Sequence, residues 1–172
     1  WIADGEGVQR AVLRGRLRVA DEDLPVVGDW VAAEAAGDLW RVAHVLPRHG
    51  TIVREAAGMR TEPQVIAANV ATVLLLTDPN DFNPRRLERY ALASRDADLV
   101  VVVNKADLVS DRGPLWRDVE RALPGVPVVF VSALLGDGLA ELNPLLSRGA
   151  TLACVGSSGV GKSTLKIGRA HV

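Results

Sequence analysis

The alternation of apolar and polar residues divides the chain into two regions. Up to about residue 62, short alternating runs at residues 12–19, 29–32 and 39–46 are separated by turn-like breaks. Short strands at this spacing predict a small barrel or sandwich, and a barrel is favoured because a closed sheet hides its edges. We therefore predict an N-terminal all-β, OB-like barrel over residues 1–62.

A different rhythm begins near residue 63. Near-continuous apolar runs, typical of parallel strands covered on both faces, alternate with amphipathic segments of helical period. The pattern predicts strands at residues 70–77, 99–103, 126–131 and 151–155, and helices at residues 84–95, 115–123 and 139–146. Strands alternating with helices indicate an α/β domain with a parallel sheet, which we assign to residues 63–165.

Charge and composition narrow the function classes. The net charge is −1, so no global basic field attracts nucleic acid, and RNA contact needs a local patch. Arg14, Arg16 and Arg18 alternate along one strand and supply a candidate RNA-binding patch, with a solvated face as the alternative. No apolar run approaches the length of a membrane span, and no signal peptide is visible. The chain has one cysteine and therefore no internal disulfide, so we expect a reducing, cytoplasmic compartment.

The aromatic residues and the single cysteine have structural interpretations. Cys154 lies within an apolar run and is predicted to be a small buried core residue. Trp30 and Trp40 fall within strand patterns and are predicted to pack in the barrel. The chain begins at Trp1, so we also expect that an N-terminal piece precedes it.

A glycine-rich loop follows the strand predicted at residues 151–155. Its pattern, Gly-x-x-x-x-Gly-Lys-Ser, is that of a phosphate-binding P-loop, with an ordinary glycine-rich turn as the alternative. The glycines let backbone N–H groups turn toward phosphate oxygens, and the following helix adds positive charge at its N-terminus. The predicted phosphate contacts are Gly156, Ser157, Ser158, Gly159, Val160, Gly161, Lys162, Ser163 and Thr164.

Two of these residues carry the predicted chemistry. Lys162 would reach the β- and γ-phosphates, and Ser163 would ligate Mg²⁺, which makes these two the candidate catalytic residues. The P-loop by itself does not distinguish ATP from GTP.

A second motif, Asn-Lys-Ala-Asp at residues 104–107, supplies that distinction. Guanine presents two donors on one edge, N1–H and the 2-amino group, and the carboxylate of Asp107 can accept both. Adenine presents an acceptor there and would leave a buried polar group unpaired. The stem of Lys105 can lie over the base, and Asn104 can tie the loop to neighbouring segments. A solvated turn is the alternative.

A third segment strengthens the guanine interpretation. It follows the strand predicted at residues 126–131, where a backbone N–H can donate to guanine O6, although an ordinary strand exit would look the same. The predicted guanine contacts are therefore Asn104, Lys105, Ala106, Asp107, Ser132, Ala133 and Leu134.

The order of the motifs is inverted. In an ordinary Ras-like GTPase the P-loop opens the domain and the Asn-Lys-x-Asp motif comes near its end, whereas here the P-loop comes last. The inversion indicates a circularly permuted GTPase. It also predicts the order of strands across the sheet: residues 151–155, 70–77, 99–103 and 126–131.

With these motifs the chain resembles the bacterial small-ribosomal-subunit-dependent GTPase A family, circularly permuted GTPases of ribosome maturation. The matching stretches are residues 27–31, 45–48, 64–70, 86–90, 104–108 and 156–165. The resemblance implies an OB-fold that touches ribosomal RNA, a permuted P-loop GTPase domain and a C-terminal zinc-binding domain. It also implies GTP or GDP and Mg²⁺ as ligands, and GTP hydrolysis stimulated by the small ribosomal subunit during its late maturation, by a monomeric protein.

The chain departs from the family after Leu165. The switch segments and the Cys/His zinc cluster are missing, so the α/β domain is predicted to be partial, with zinc expected only in a missing C-terminal domain. Residues 166–172 have the translated sequence of a common sequencing adapter and are predicted to be a non-native tail, with a native helix end at Gly168 as the alternative. We expect this chain to bind nucleotide weakly and not to hydrolyse it.

Two other functions are alternatives to this one. The permuted GTPases of large-subunit assembly typically carry Asn where Gly159 stands here, and they lack a leading barrel. A non-enzymatic OB-fold RNA-binding module would leave two complete nucleotide motifs without a task.

Overall fold

The computed structural model describes residues 1–4, 6–15, 24–54, 64–146 and 150–168, with backbone only at residues 95 and 166–168. The strands in these residues are β1 (Ile2–Ala3), β2 (Val8–Gln9), β3 (Ala11–Leu13), β4 (Val31–Ala36), β5 (Leu39–Val45), β6 (Thr51–Arg54), β7 (Gln64–Ala68), β8 (Thr72–Thr77), β9 (Ser94–Arg95), β10 (Asp98–Val103), β11 (Val128–Phe130) and β12 (Leu152–Gly156). The helices are α1 (Pro84–Ala93), α2 (Gly113–Ala122) and α3 (Lys162–Gly168), with 3₁₀ helices at Ala106–Leu108 and Leu139–Leu145.

A parallel sheet of four strands organises the second region. Its order is β11-β10-β8-β12, and each neighbouring pair is parallel. This is the order predicted from circular permutation, and the prediction is confirmed. The strand that enters the P-loop, β12, pairs in parallel with β8.

Both faces of this sheet are covered, which explains its continuous apolar strands. One cluster includes Val73, Leu75 and Val101, and the other includes Leu74 and Val102 on the opposite face. Alternate residues of a strand point to opposite faces, so a strand buried on both sides is apolar throughout. Burial of β8 and β10 therefore fixes the position of the loops that follow them.

The first region forms smaller sheets. Strand β5 pairs in parallel with β3 and antiparallel with β4, and β1 pairs with β2. Strand β6 pairs antiparallel with β7 and β9, across the predicted boundary at residue 63. The sequence pattern did not predict β6 or β7. The closed barrel and the domain boundary stay predictions.

Local sequence signals account for the helices. Asn83 caps α1 by accepting a hydrogen bond of 3.1 Å from the N–H of Arg86, and Pro84 occupies the first turn.

The segment predicted as a helix at residues 139–146 is a 3₁₀ helix at Leu139–Leu145. It contains Pro144, which has no N–H and interrupts an α-helical ladder. Among the described helices, none is long and apolar enough to cross a membrane.

Two predictions about individual residues were wrong. Cys154 is exposed, because it lies on the edge strand β12, and the cluster on the face that holds its partner Leu74 does not include it. Trp30 is 67% exposed and does not pack inside a barrel, whereas Trp40 is half-buried. The backbone of α3 runs through Gly168 and so includes residues 166–168 of the predicted tail. The origin of the tail stays a prediction, and residues 169–172 lie outside the described residues.

Candidate nucleotide-binding site

The loops that follow the four parallel strands meet at one edge of the sheet. They comprise residues 78–83 after β8, 104–108 after β10, 131–138 after β11 and 157–161 after β12. Ligands of open α/β sheets bind at the carboxyl ends of the strands. The tertiary structure therefore brings the three predicted nucleotide motifs together, and it adds the loop after β8.

The P-loop is held between strand β12 and helix α3. Gly156 ends β12 so close to β8 that an added Cβ would lie 2.6 Å from the carbonyl oxygen of Leu76. Gly159 and Gly161 have φ values of +80° and +95°, which glycine adopts without strain. Val160 is buried in the core beneath the loop. These positions explain why the loop needs its glycines and its valine.

Lys162 lies across the loop that it follows. Its Nζ donates to the carbonyl oxygen of Gly156 at 2.9 Å and to that of Ser157 at 2.6 Å. Ser163 and Thr164 are exposed in the first turn of α3. The ammonium group is therefore held against two carbonyl oxygens of the P-loop. Ser163, the next residue in the sequence, places its hydroxyl in the first turn of the helix.

Asn104 joins the P-loop to the third motif. Its Nδ2 donates to the carbonyl oxygen of Val160 at 2.8 Å, and its Oδ1 accepts from the N–H of Ala133 at 3.0 Å. The side chain is 3% exposed, so both bonds are shielded from water. The predicted tying role of Asn104 is confirmed.

The residues predicted to contact guanine lie on the two segments next to this amide. Asp107 is exposed on the 3₁₀ helix Ala106–Leu108, and its carboxylate makes no hydrogen bond within the described residues. The N–H of Ala106 donates to Val131 at 3.0 Å, which fixes the loop against the next strand. Asp107 therefore presents two acceptor oxygens to solvent at the edge of the sheet.

The third motif offers one open donor. The N–H of Ala133 is bonded to Asn104, and the N–H of Ser132 donates to the carbonyl oxygen of Asp137 at 2.9 Å. The hydroxyl of buried Ser132 accepts from the N–H of Leu135 at 3.2 Å and shapes the turn. In the described part of the chain, the N–H of Leu134 has no acceptor, so it is the donor available to a ligand.

Sequence reasoning missed two aspartates in the loop after β8. Asp78 is buried, and its Oδ2 accepts a hydrogen bond of 2.7 Å from Nζ of Lys105. Asp81 accepts a hydrogen bond from the hydroxyl of Ser157 in the P-loop. The P-loop and the Asn-Lys-Ala-Asp motif are therefore both bonded to the same short loop. The clustering of acidic residues directly after a buried strand was the available signal.

Asp81 is also paired with helix α1. Arg86 donates from NH1 and NH2 to the two carboxylate oxygens of Asp81, each at 3.0 Å. Hydrogen bonds from Ser157 and then from Arg86 lower the pKa of Asp81 below its ordinary value, against a raising effect of burial. Asp81 is therefore held as an anion, with Arg86 balancing its charge beside the P-loop.

The candidate RNA-binding arginines are placed only in part. Arg14 is exposed directly after β3, and its N–H donates to the carbonyl oxygen of Val42 at 3.1 Å. Arg16 and Arg18 lie outside the described residues. The predicted alternation along one strand face therefore stays a prediction.

A partly buried ion pair between Asp29 and Arg48 stabilises the first region. Arg48 donates from Nε to Oδ1 of Asp29 at 2.8 Å and from NH2 to Oδ2 at 2.7 Å. Burial by itself raises the pKa of Asp29, but hydrogen bonds from Arg48 and from the N–H of Val26, together with the charge of Arg48, lower it below its ordinary value. Arg48 thus has a structural task within this region.

Comparisons with known proteins agree with this geometry. Residues 45–167 match the family model described as RsgA GTPase. The chain is 46% identical over 155 residues to a small ribosomal subunit biogenesis GTPase RsgA from Opitutus terrae, covering 83% of this chain and 42% of that protein. It is 47% identical over 144 residues to a protein of the same name from Streptomyces avermitilis, covering 80% of this chain and 39% of that protein.

A solved structure is also similar. The crystal structure of YjeQ from Thermotoga maritima has a TM-score of 0.70 and 26% sequence identity, over 96% of this chain and 58% of that one. The chain spans less than half the length of the two curated relatives named above. The family model covers the parallel sheet together with the three nucleotide motifs, and on this evidence the chain belongs to the RsgA GTPase family.

Proposed function

We propose that this chain binds GDP and GTP at the loop edge of its parallel sheet. The observation that carries the proposal is the position of Asn104, which is bonded to the P-loop at Val160 and to the third motif at Ala133. One buried amide bonded to both segments favours a single ligand with a phosphate end and a base end. Two unrelated turns would not need this connection.

The phosphate end of the ligand would lie in the P-loop. Backbone N–H groups at the start of α3 favour anions, and Lys162 adds a full positive charge. The exposed hydroxyl of Ser163 is an oxygen donor of the kind that Mg²⁺ prefers, next to the lysine that would contact the same phosphates. Bound Mg²⁺ would neutralise phosphate charge, while Lys162 orients the phosphates.

The base end would lie between Asp107 and Leu134. The carboxylate of Asp107 is exposed and would accept hydrogen bonds from N1–H and the 2-amino group of guanine. The open N–H of Leu134 would donate to the O6 carbonyl. Adenine reverses both of these hydrogen-bonding requirements, so the site is proposed to select guanine.

We further propose that a protein containing this chain hydrolyses GTP and acts in late maturation of the small ribosomal subunit. Membership of the RsgA GTPase family supports this, since the relatives are named as small ribosomal subunit biogenesis GTPases. The proposed setting is the cytoplasm, and the proposed form is a monomer. The circularly permuted order of the domain belongs to the same proposal.

The first region is proposed to be an OB-like barrel that contacts ribosomal RNA. Exposed Trp30 supports this, because an aromatic ring that is not buried in the protein core is available to stack on a base. Exposed Arg14 adds a cation suited to phosphate. Binding of ribosomal RNA that weakens steeply with salt and with Trp30→Ala would support this role, and binding unaffected by either would contradict it.

Displacement of a fluorescent GDP analogue tests the nucleotide proposal. We expect GDP and GTP to displace it from the chain at much lower concentration than ADP or ATP. Asp107→Ala should remove this preference without changing the unfolding temperature, because the side chain is exposed. Equal displacement by ATP and GTP with the unsubstituted chain would contradict guanine recognition, and absence of any binding would contradict the proposed function as a whole.

A further inference from the structure

The loop that connects β8 to α1 contains a buried carboxylate with two separate tasks. Oδ1 of Asp78 accepts hydrogen bonds from the N–H groups of Asn80, at 2.9 Å, and Asp81, at 3.0 Å. Oδ2 of the same residue accepts the hydrogen bond of 2.7 Å from Nζ of Lys105. One oxygen thus shapes the loop, and the other restrains the lysine of the guanine motif.

The ion pair is asymmetric in its exposure. The side chain of Asp78 is 3% exposed, whereas that of Lys105 is 39% exposed. A carboxylate at that depth needs a partner charge, because an unpaired buried charge is strongly unfavourable. The lysine therefore gains a fixed partner at its far end, while part of its side chain remains accessible to a ligand.

This restraint acts on a flexible side chain that begins from an unusual backbone. Lys105 has a φ of +57°, in the left-handed region, where the chain turns from β10 into the 3₁₀ helix Ala106–Leu108. Lysine has many rotamers, and ordering them on ligand binding costs conformational entropy. Because Nζ is already bonded to Asp78, the lysine has lost much of this conformational freedom before a nucleotide binds.

We propose that Asp78 is a positioning residue for the guanine base, which rests on the nucleotide binding proposed above. Asp78 does not contact the base. It holds Nζ of Lys105, and so it sets the path of the methylene stem that would lie against the purine ring. Without the carboxylate the stem samples other rotamers, and contact with the base weakens while the P-loop remains intact.

The two carboxylate oxygens of Asp78 have different partners, so substitutions can distinguish the positioning of Lys105 from a role in loop structure alone. Asp78→Asn keeps an oxygen for the N–H groups of Asn80 and Asp81 but removes the charge that holds Lys105. Asp78→Ser is a second, smaller variant that also keeps an oxygen acceptor. A role in shaping the loop does not depend on the lysine, whereas the proposed role does.

The test is a double-mutant cycle on the full 172-residue chain, with a fluorescent GDP analogue as the probe. We expect Asp78→Asn to weaken binding about five- to tenfold, as for a charge-assisted hydrogen bond that is partly screened by solvent. In the Lys105→Ala background the same substitution should change affinity less than about twofold. Asp118→Asn is the matched control, since it removes the same charge from an exposed pair with Arg121 on α2.

Three results would overturn the inference. Asp78→Asn and Asp78→Ser could bind the probe as tightly as the unsubstituted chain, or they could weaken binding equally with and without Lys105. The latter result assigns Asp78 to loop structure alone. If the unsubstituted chain binds no probe, the proposed function fails and this inference fails with it, whereas either of the other results leaves nucleotide binding standing.

Discussion

The side-chain amide of Asn104 donates a hydrogen bond of 2.8 Å to the carbonyl oxygen of Val160, 56 positions later in the sequence. Val160 is the buried residue of the P-loop, and Asn104 opens the guanine motif. The shape of the P-loop therefore depends on a residue of the Asn-Lys-Ala-Asp motif. Because the amide also accepts from Ala133, removing it loosens all three nucleotide motifs at once.

Asn104→Ala should weaken both folding and nucleotide binding. The substitution leaves the carbonyl of Val160 and the N–H of Ala133 without their partner, which we expect to lower the free energy of unfolding by about 2–3 kcal/mol. GDP affinity should fall by more than about tenfold, since the P-loop loses its anchor. Denaturant unfolding and titration with fluorescent GDP measure the two effects. Asn80→Ala, with an exposed side chain, is the control, and unchanged GDP affinity in Asn104→Ala would contradict the bridging role.

Two glycines of the P-loop should respond differently to alanine. At Gly159 an added Cβ meets open space, so Gly159→Ala carries only the strain of its positive φ, about 1 kcal/mol. At Gly161 an added Cβ would collide with Nδ2 of Asn104, so Gly161→Ala must displace the bridging amide as well. We expect it to lower the free energy of unfolding by at least about 3 kcal/mol. Equal losses in the two variants would show that the collision is relieved without cost.

The ionisation of Asp81 should depend on Ser157. Because the hydrogen bond from Ser157 is the largest cause of its lowered pKa, Ser157→Ala should move the pKa of Asp81 up toward the ordinary value. Titration of the Asp81 carboxyl carbon by NMR measures the shift, and Ser158→Ala, at the exposed neighbouring position, should leave it unchanged.

The hydrogen bond between Ser157 and Asp81 also predicts how the stability of the fold depends on pH. The folded pKa of Asp81 is lowered, so its contribution to stability is present above the ordinary pKa of aspartate and is lost as pH falls through the lowered value. The stability difference between the unsubstituted chain and Ser157→Ala should therefore shrink in acid. A difference that grows as pH falls would contradict the assignment.

The Asp29–Arg48 pair should determine the acid stability of the first region. Arg48→Ala removes one partner of a pair whose aspartate side chain is 1% exposed, which should lower the free energy of unfolding by about 3 kcal/mol. Arg41→Ala, which removes the arginine of an exposed pair with Glu34, should cost less than about 1 kcal/mol. Thermal or denaturant unfolding of the two variants measures the contrast, and similar losses would contradict a buried role for Arg48.

Arg48→Ala should also reverse the direction in which the ionisation of Asp29 changes stability with pH. In the unsubstituted chain the pKa of Asp29 is lowered. The ion pair therefore stabilises the fold above the ordinary pKa of aspartate, and this stabilisation is lost as pH falls through the folded pKa. In Arg48→Ala, burial, the largest influence, outweighs the remaining hydrogen bond from Val26, and the pKa of Asp29 rises. That variant should lose stability as pH increases through the raised pKa, which stability measured across the acid range will detect.

Much of the nucleotide site follows from the sequence by itself. The apolar strands that precede residues 104–107 and 156–163 identify both motifs as loops at the carboxyl ends of parallel strands. The inverted order of these motifs, compared with a Ras-like domain, predicts the order of the four strands, and the structure agrees. These features are local or topological, so spacing and hydrophobic period determine them.

Only the tertiary structure decided which distant residues meet. The sequence pattern contains no signal that pairs Asp78 with Lys105 or Asp81 with Ser157, because these contacts depend on the neighbouring positions of β8, β10 and β12. The exposure of Cys154 and Trp30 likewise depends on what covers each strand face, and a strand's own residues do not report its neighbours. Hydrophobic period and motif spacing therefore determined where the nucleotide motifs lie, and packing across the sheet decided which side chains hold them in place.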